Sequence, residues 1–164
     1  MLYPNLDSKR MILASKSPRR LELVRGLEIE PEVIVRNVDE SYPSSLSGVE
    51  VAKFVTLAKA TAFYDVLEPG DVLITGDTIV LLDEEVLEKP SNSKEAASML
   101  RKLSGKSHIV ASGVAVTTLK EGKPETLCEV DTCKVTFEKL TEDLISHYIS
   151  HYKPFDKAGS YGVQ

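Results

Sequence analysis

The sequence predicts an α/β fold built on a mixed β-sheet with helices packed on its faces. Segments with a helical spacing of apolar residues alternate with short, strongly apolar segments, as in folds whose sheet is covered by helices. Two long extended segments joined by Lys-Glu-Gly-Lys-Pro add a hairpin, which makes the sheet mixed rather than purely parallel. With 164 residues the chain is long enough for one sizeable core, and we expect residues 1–164 to form a single domain.

The elements predicted in the first half of the chain are bounded by Gly, Pro or acidic turns. In chain order they are a strand over 11–14, a helix from Pro18 to Gly26, a strand over 33–35, a helix over 49–67 and an apolar strand region over 71–82. Ser17 is expected to cap the first helix, because Ser is a strong N-cap and Pro favours the first helical position. Gly76-Asp77-Thr78 is expected to interrupt the last strand region, either as a bulge or as a plain turn.

The second half continues the alternation. In chain order it contains a hairpin strand at 86–87, a helix over 92–103, long strands over 109–119 and 126–137, and a last helix that Thr141 caps. Asn92 and Glu95 have the spacing of a capping box, in which the two residues satisfy each other's backbone N–H groups.

Composition excludes several functional classes. The net charge of −5 argues against a broad nucleic-acid-binding surface, which would need a basic patch. No apolar segment approaches the roughly 20 residues that span a bilayer, and the N-terminus lacks the apolar core of a signal peptide. Cys128 and Cys133 have neither metal-ligand spacing nor a disulfide pattern, which fits a reducing compartment. We therefore expect a cytoplasmic protein without nucleic-acid or membrane partners.

Two arginines occupy an electrostatically unusual position. The N-terminus of a helix carries partial positive charge and favours acidic side chains, yet Arg19 and Arg20 lie in the first turn of the first predicted helix. Together with backbone N–H groups and the hydroxyls of Ser15 and Ser17, they would form a phosphate site. The alternative is that both arginines point into solvent, and their spacing alone does not decide between the two.

Two further charges fall inside apolar patterns. Lys59 lies on the apolar stripe of the helix over 49–67, where it either reaches a polar site or extends its ammonium group to solvent. Asp77 lies inside the apolar strand region, where it is either a buried carboxylate that needs a partner or a solvated turn residue. Glu40 and Lys89, each taken alone, have the pattern of surface charges.

Seven segments, in order and covering nearly the whole chain, carry a resemblance. They are 13–20 (Leu-Ala-Ser-Lys-Ser-Pro-Arg-Arg), 39–40, 57–60 (Leu-Ala-Lys-Ala), 76–80 (Gly-Asp-Thr-Ile-Val), 88–90 (Glu-Lys-Pro), 99–105 and 156–164 (Asp-Lys-Ala-Gly-Ser-Tyr-Gly-Val-Gln). In this combination the chain resembles the Maf family of nucleotide pyrophosphatases. The resemblance implies a three-layer, ITPase-like α/β fold with helices on both faces of the sheet and two lobes around a cleft.

The resemblance also implies an activity and a set of roles. The activity is hydrolysis of the bond between the α and β phosphates of a nucleoside triphosphate, with Mg²⁺ or Mn²⁺ as cofactor. Asp77 matches the catalytic acid, whereas Arg19, Thr78 and Gln164 match positions that shape substrate choice. The Asp77–Thr78 pair resembles the subgroup that acts on dTTP and UTP rather than on 7-methyl-GTP.

These expectations combine into one hypothesis for the site. The phosphate-binding side chains are expected to be Ser15, Arg19, Arg20, Lys59 and Lys89. Glu40 and Asp77 are expected to hold the metal, and Asp77 also orients or deprotonates the attacking water, although these two roles partly compete. We further expect a homodimer, and we expect the C-terminal segment that family members carry after Gln164 to be missing here.

One other functional class remains open at this point, and a second is disfavoured. The same residues would also suit a nucleotide-binding regulator of cell division with little turnover, since the family resemblance carries a link to septum formation. A nucleic-acid-binding module is disfavoured by the acidic charge and by the lack of interleaved aromatic and basic residues.

Overall fold

The computed structural model describes residues 3–162. The helices are α1 (Pro18–Arg25), α2 (Val49–Thr61), α3 (Ser93–Leu103) and α4 (Glu142–Tyr152), with short 3₁₀ turns at Pro4–Leu6 and Ala158–Ser160. The strands are β1 (Arg10–Leu13), β2 (Glu32–Val33), β3 (Asp71–Leu82), β4 (Glu85–Leu87), β5 (Ser107–Lys120) and β6 (Lys123–Thr136).

The strands form a mixed sheet, as the sequence predicts. The strand order is β2-β1-β3-β5-β6, and β4 pairs with β3. β1 is parallel to β2 and β3, so that Ile12 lies opposite both Glu32 and Leu73, whereas β4 is antiparallel to β3. Glu121 and Gly122 join β5 to β6 with φ values of 52° and 76°, and positive φ at both central residues is typical of a type I′ hairpin turn. The predicted α/β fold class is confirmed.

The prediction that Gly76-Asp77-Thr78 interrupts the strand region over 71–82 is wrong. β3 runs without a break from Asp71 to Leu82, and Gly76 and Asp77 are both buried within it. A residue other than Gly would not fit here, because a Cβ on residue 76 would lie 2.8 Å from the carbonyl oxygen of Gly113. The glycine therefore allows a close backbone approach inside the strand rather than a turn.

Two predicted boundaries are also wrong. α2 ends at Thr61 instead of Leu67, and three-residue turns follow, with Phe63 N–H donating to the Ala60 carbonyl at 3.0 Å. The helical spacing of apolar residues persists beyond the helix because Phe63 and Leu67 still pack into the core around Leu73. β2 is confined to Glu32–Val33, so the predicted strand over 33–35 is mostly an extended segment outside the ladder.

The predicted caps are largely present, with one difference. Ser17, Asn92 and Thr141 each accept a backbone N–H at the start of α1, α3 and α4. Glu95, however, accepts from the N–H of Ser91 at 2.7 Å rather than from that of Asn92, so the capping box is displaced by one residue. Within the described part of the chain, no helix is long and apolar enough to cross a membrane.

The described residues divide into two compact units. The first unit comprises residues 3–46, 50–77 and 113–130, and its core includes clusters around Leu13 and Phe63. The second unit comprises residues 47–49, 78–112 and 131–162, and its core includes clusters around Val80 and Ile145. Whether residues 1–164 act as a single domain stays a prediction.

Candidate active site

The loop between β1 and α1 is organised by Ser15. This side chain is buried, and its hydroxyl oxygen accepts a hydrogen bond from the Ser17 N–H at 3.2 Å. It also accepts from Nη1 of Arg20 at 3.3 Å. Ser17 in turn caps α1 by accepting from the Arg20 N–H at 3.4 Å. The two serines therefore fix the start of the helix and one guanidinium of the arginine pair.

The two arginines of the pair point in different directions. Arg19 is exposed over 59% of its side chain and pairs with Glu22 at 3.4 Å, which matches the solvent alternative. Arg20 is turned inward and lies against β3, where a Cβ on residue 76 would come within 3.4 Å of its Nε. Solvent exposure therefore describes Arg19 but not Arg20.

Lys59 joins two carboxylates at the centre of the candidate site. Its ammonium donates to Oδ1 of Asp77 at 2.7 Å and lies 3.0 Å from Oε1 of Glu40. The side chains of Lys59 and Asp77 are only 13% and 10% exposed, whereas that of Glu40 is 48% exposed. Lys59 thus does not extend into solvent, and Asp77 is not a solvated turn residue.

Arg20 adds a second cation to this cluster. Burial lowers the pKa of its guanidinium from the ordinary value, while the negative charges of Asp77 and Glu40 act in the opposite direction. An arginine stays protonated under such a shift, since its ordinary pKa is far above neutrality. The cluster of Arg20, Lys59, Asp77 and Glu40 therefore contains two cations and two anions and is formally neutral.

A close helix–strand contact positions Lys59. A Cβ on Gly113 of β5 would overlap the hydroxyl of Thr56 and would lie 3.0 Å from the carbonyl oxygen of Ala52. α2 therefore packs directly on the backbone of β5, one helical turn before Lys59. Neither Gly113 nor Thr56 is among the site residues predicted from the sequence. A glycine inside an alternating strand pattern is the signal that would have indicated this contact.

The first unit brings together five of the predicted site residues: Ser15, Arg20, Glu40, Lys59 and Asp77. Arg19 belongs to the same unit but pairs with Glu22. Thr78 and Lys89 belong to the second unit, where the hydroxyl of Thr78 lies 3.2 Å from that of Ser112 and Lys89 is exposed. Gln164 lies outside the described residues.

The donor chemistry of the cluster bears on the predicted metal. From residue 3 to residue 162 there is no group of three His, Cys, Asp or Glu side chains that could hold a metal ion. Glu40 and Asp77 supply two carboxylates, and Lys59 engages one oxygen of each. Mg²⁺ is commonly bound by one or two carboxylates together with substrate phosphates, so this pair fits such an ion.

Comparison with known proteins identifies the family. The model of the Maf family, described as "Maf-like protein", matches residues 10–164. The chain belongs to the Maf family. This confirms the resemblance that the seven segments predict.

Curated relatives match this chain over most of their length, in agreement with the family assignment. The related protein of Bacteroides thetaiotaomicron is 47% identical over 161 residues, which cover 98% of this chain and 81% of the relative. That of Flavobacterium psychrophilum is 40% identical over 164 residues, which cover 100% of this chain and 82% of the relative. Both relatives bear the name dTTP/UTP pyrophosphatase.

A solved structure agrees with the fold of this Maf chain. The Ham1 protein of Staphylococcus aureus superposes with a TM-score of 0.55 at 14% identity, covering 77% of this chain and 70% of that one. At this identity the likeness bears on the fold alone, and it agrees with the predicted fold class.

Proposed function

We propose that this chain hydrolyses dTTP, UTP or closely related nucleoside triphosphates to nucleoside monophosphate and pyrophosphate. The observation that carries the proposal is the buried ammonium of Lys59 between Asp77 and Glu40, next to the inward guanidinium of Arg20. The proposal is also supported by relatives of near-full coverage that are named dTTP/UTP pyrophosphatase. These names are those of an enzyme, which favours turnover over the regulator alternative.

In the proposed reaction, water attacks the α-phosphorus and the bond to the oxygen that bridges the α and β phosphates breaks. Asp77 orients the water and takes its proton, and pyrophosphate leaves with the bridging oxygen. Lys59 holds Asp77 through the 2.7 Å hydrogen bond, which fixes the direction of the carboxylate. Arg20 and Ser15 face the phosphates from the start of α1, where backbone N–H groups add partial positive charge.

We propose that a divalent cation, Mg²⁺ or Mn²⁺, binds together with the substrate. The charges of Arg20 and Lys59 already balance those of Asp77 and Glu40, so the triphosphate's own negative charges need a further cation. Glu40 and Asp77 are the residues that would hold it. Such an ion would neutralise charge on the phosphate oxygens.

The remaining roles are carried over from the family and stay predictions. Arg19, Thr78 and Gln164 are proposed to shape substrate choice, and Arg19 and Lys89 to bind phosphate oxygens. We also retain a homodimer and a cytoplasmic location as predictions. The free thiols of Cys128 and Cys133 support a reducing compartment.

The test is pyrophosphate release from a panel of nucleoside triphosphates, with and without Mg²⁺, by the wild-type chain and by Asp77→Asn. We expect the wild type to prefer dTTP and UTP, and the variant to bind nucleotide without releasing pyrophosphate. Asp71→Asn is the matched control, since Asp71 is equally buried on β3 but pairs with Arg10 and the Glu68 N–H. Near-normal turnover by Asp77→Asn, or tight binding by the wild type without product, would contradict the proposal.

A further inference from the structure

A buried turn in the second unit contacts residues that lie close in the chain to Lys89 and Thr78. Lys89 is predicted to bind phosphate, and Thr78 is predicted to shape substrate choice. The N–H of Gly159, in the turn Ala158–Ser160, donates to the carbonyl oxygen of Glu88 at 3.2 Å, one residue before Lys89. A Cβ on Gly159 would lie 2.9–3.0 Å from the side chain of Val80, two residues after Thr78. The same turn leads along the chain towards Gln164.

This turn has an energetically unfavourable conformation. Ser160 has a φ of 65°, in the left-handed region that side chains other than Gly rarely adopt. It is fully buried, and within residues 3–162 its hydroxyl has no hydrogen-bond partner. Strained and unsatisfied groups persist only where their surroundings enforce them, and they are concentrated at functional sites.

The residue that follows the turn is anchored in the core of the second unit. The hydroxyl of Tyr161 forms a 2.6 Å hydrogen bond with Nε2 of His108, which is only 3% exposed. Phe137 meets both rings edge-on, with centroid distances of 5.1 Å to His108 and 4.7 Å to Tyr161. Next in the chain, the Gly162 N–H donates to the hydroxyl of Tyr148 at 3.1 Å.

The protonation states of His108 and Tyr161 favour a stable hydrogen bond between them. Burial lowers the pKa of His108 from its ordinary value, so the imidazole is neutral near pH 7. Burial also raises the pKa of Tyr161 to about 12, so the phenol keeps its proton. The other ring nitrogen of His108, Nδ1, is buried without a partner among the described residues, which makes Tyr161 the hydrogen-bond partner that fixes the ring.

We propose that the hydrogen bond between His108 and Tyr161 is a positioning contact for nucleotide selection. It holds the turn Ala158–Ser160, and the turn holds the backbone next to Lys89 and the strand just after Thr78. His108 and Tyr161 act through these residues and do not touch the substrate. The inference rests on the proposed function and adds residues that set substrate preference rather than the rate of bond cleavage.

The experiment compares Tyr161→Phe with Tyr64→Phe. Tyr64 is the matched control because its hydroxyl also makes a short hydrogen bond, 2.7 Å to Thr126, but in the first unit. We measure kcat and KM for dTTP and GTP, together with the melting temperature. Tyr161→Phe is expected to lower the dTTP-to-GTP ratio of kcat/KM about three- to tenfold, the range that the loss of one hydrogen bond allows. Most of that change is expected in KM, and Tyr64→Phe is expected to leave the ratio unchanged.

A second pair of variants separates the hydrogen bond from ring packing. His108→Phe keeps a ring beside Phe137 but removes the bond, whereas His108→Gln keeps an amide that can bond to Tyr161. We expect selectivity to fall in the first variant and to be partly restored in the second. An unchanged ratio in Tyr161→Phe and His108→Phe, or an equal loss for both nucleotides that follows the melting temperature, would overturn the proposal.

The same measurements distinguish this inference from the proposed function. If the wild type releases no pyrophosphate from any triphosphate, the proposed function fails. Dissociation constants for the α,β-methylene analogues of dTTP and GTP then test the inference alone, since they report selection without cleavage. The inference would still be supported if the wild type binds the dTTP analogue more tightly than the GTP analogue and Tyr161→Phe reduces this preference. It would be overturned if the affinities for the two analogues are the same in the wild type and in Tyr161→Phe.

Discussion

Replacing Lys59 with Met tests whether its ammonium is the shared partner of two carboxylates. Met has a similar length but no charge, so Asp77 loses its 2.7 Å partner and Glu40 its 3.0 Å partner. Removing one member of a buried ion pair costs about 3–5 kcal/mol, because the remaining charge is left uncompensated. Arg20 still attracts Asp77, and Glu40 is half exposed, so we expect a loss near the lower limit, about 3 kcal/mol.

The double variant Lys59→Met/Asp77→Asn gives the sharper result. It removes both charges, so no carboxylate is left unpaired in the buried part of the site. We therefore expect it to be more stable than Lys59→Met alone, with a coupling energy of about 2–3 kcal/mol between the two positions. Pyrophosphate release should nevertheless stay at least about 100-fold below wild type in every variant, since each lacks either the proposed base Asp77 or the ammonium that orients it.

The assay is urea unfolding of the wild type, both single variants and the double variant, with pyrophosphate release measured on the same preparations. A loss of about 3 kcal/mol corresponds to a melting temperature lower by roughly 6–12 °C for a chain of this size. The control cycle uses Lys102→Met and Glu85→Gln, an exposed ion pair with side chains 45% and 52% exposed, for which about 0.2–1 kcal/mol is expected. Additive losses at Lys59 and Asp77, or a double variant less stable than Lys59→Met, would refute the reasoning.

Two further predictions follow from single side chains. Arg20→Ala should lower kcat/KM for dTTP about 100-fold or more, whereas Arg19→Ala should lower it about tenfold at most. The difference is expected because Arg20, unlike Arg19, faces the carboxylates of Asp77 and Glu40. Equal losses in the two variants would contradict this assignment. Because the folded-state pKa of His108 is below its unfolded value, the free energy of unfolding should be fully maintained above about pH 6.5 and fall as the pH drops below it. His108→Phe should remove this decrease. If the prediction is wrong, urea unfolding between about pH 5 and 8 will show the same pH dependence in the wild type and in His108→Phe.

The sequence predicted the local features of the chain well. The caps at Ser17, Asn92 and Thr141 depend on hydrogen bonds that close within a few residues, so the residue types are sufficient to locate them. The β5–β6 hairpin is equally local, since a turn at Glu121–Gly122 requires positive φ and contains a glycine.

Features that depend on distant contacts were not predicted. The continuity of β3 through Gly76 and Asp77 follows from its neighbouring strands and from the close approach of Gly113, none of which is visible in the local pattern. A Gly-Asp pair therefore has the same local signature in a turn and in this strand. The end of α2 at Thr61 was missed for a related reason, because the apolar spacing continues into the turns that follow.

The candidate site, like the fold, was predicted from the sequence only in part. Residue types and family resemblance predicted Arg20, Lys59 and Asp77 as site residues, but the sequence alone could not distinguish Arg20 from its neighbour Arg19. That difference depends on how α1 is rotated on the sheet, which is set by the packing of Val24 against Leu13.

The most direct test of the proposed chemistry is hydrolysis of dTTP in ¹⁸O-labelled water, with products analysed by mass spectrometry. Attack of water on the α-phosphorus predicts that the label enters the nucleoside monophosphate and that the released pyrophosphate contains none. Label in the pyrophosphate would show attack on the β-phosphorus, and orthophosphate as the first product would show removal of the terminal phosphate. Either result would contradict the proposed role of Asp77 and its neighbours.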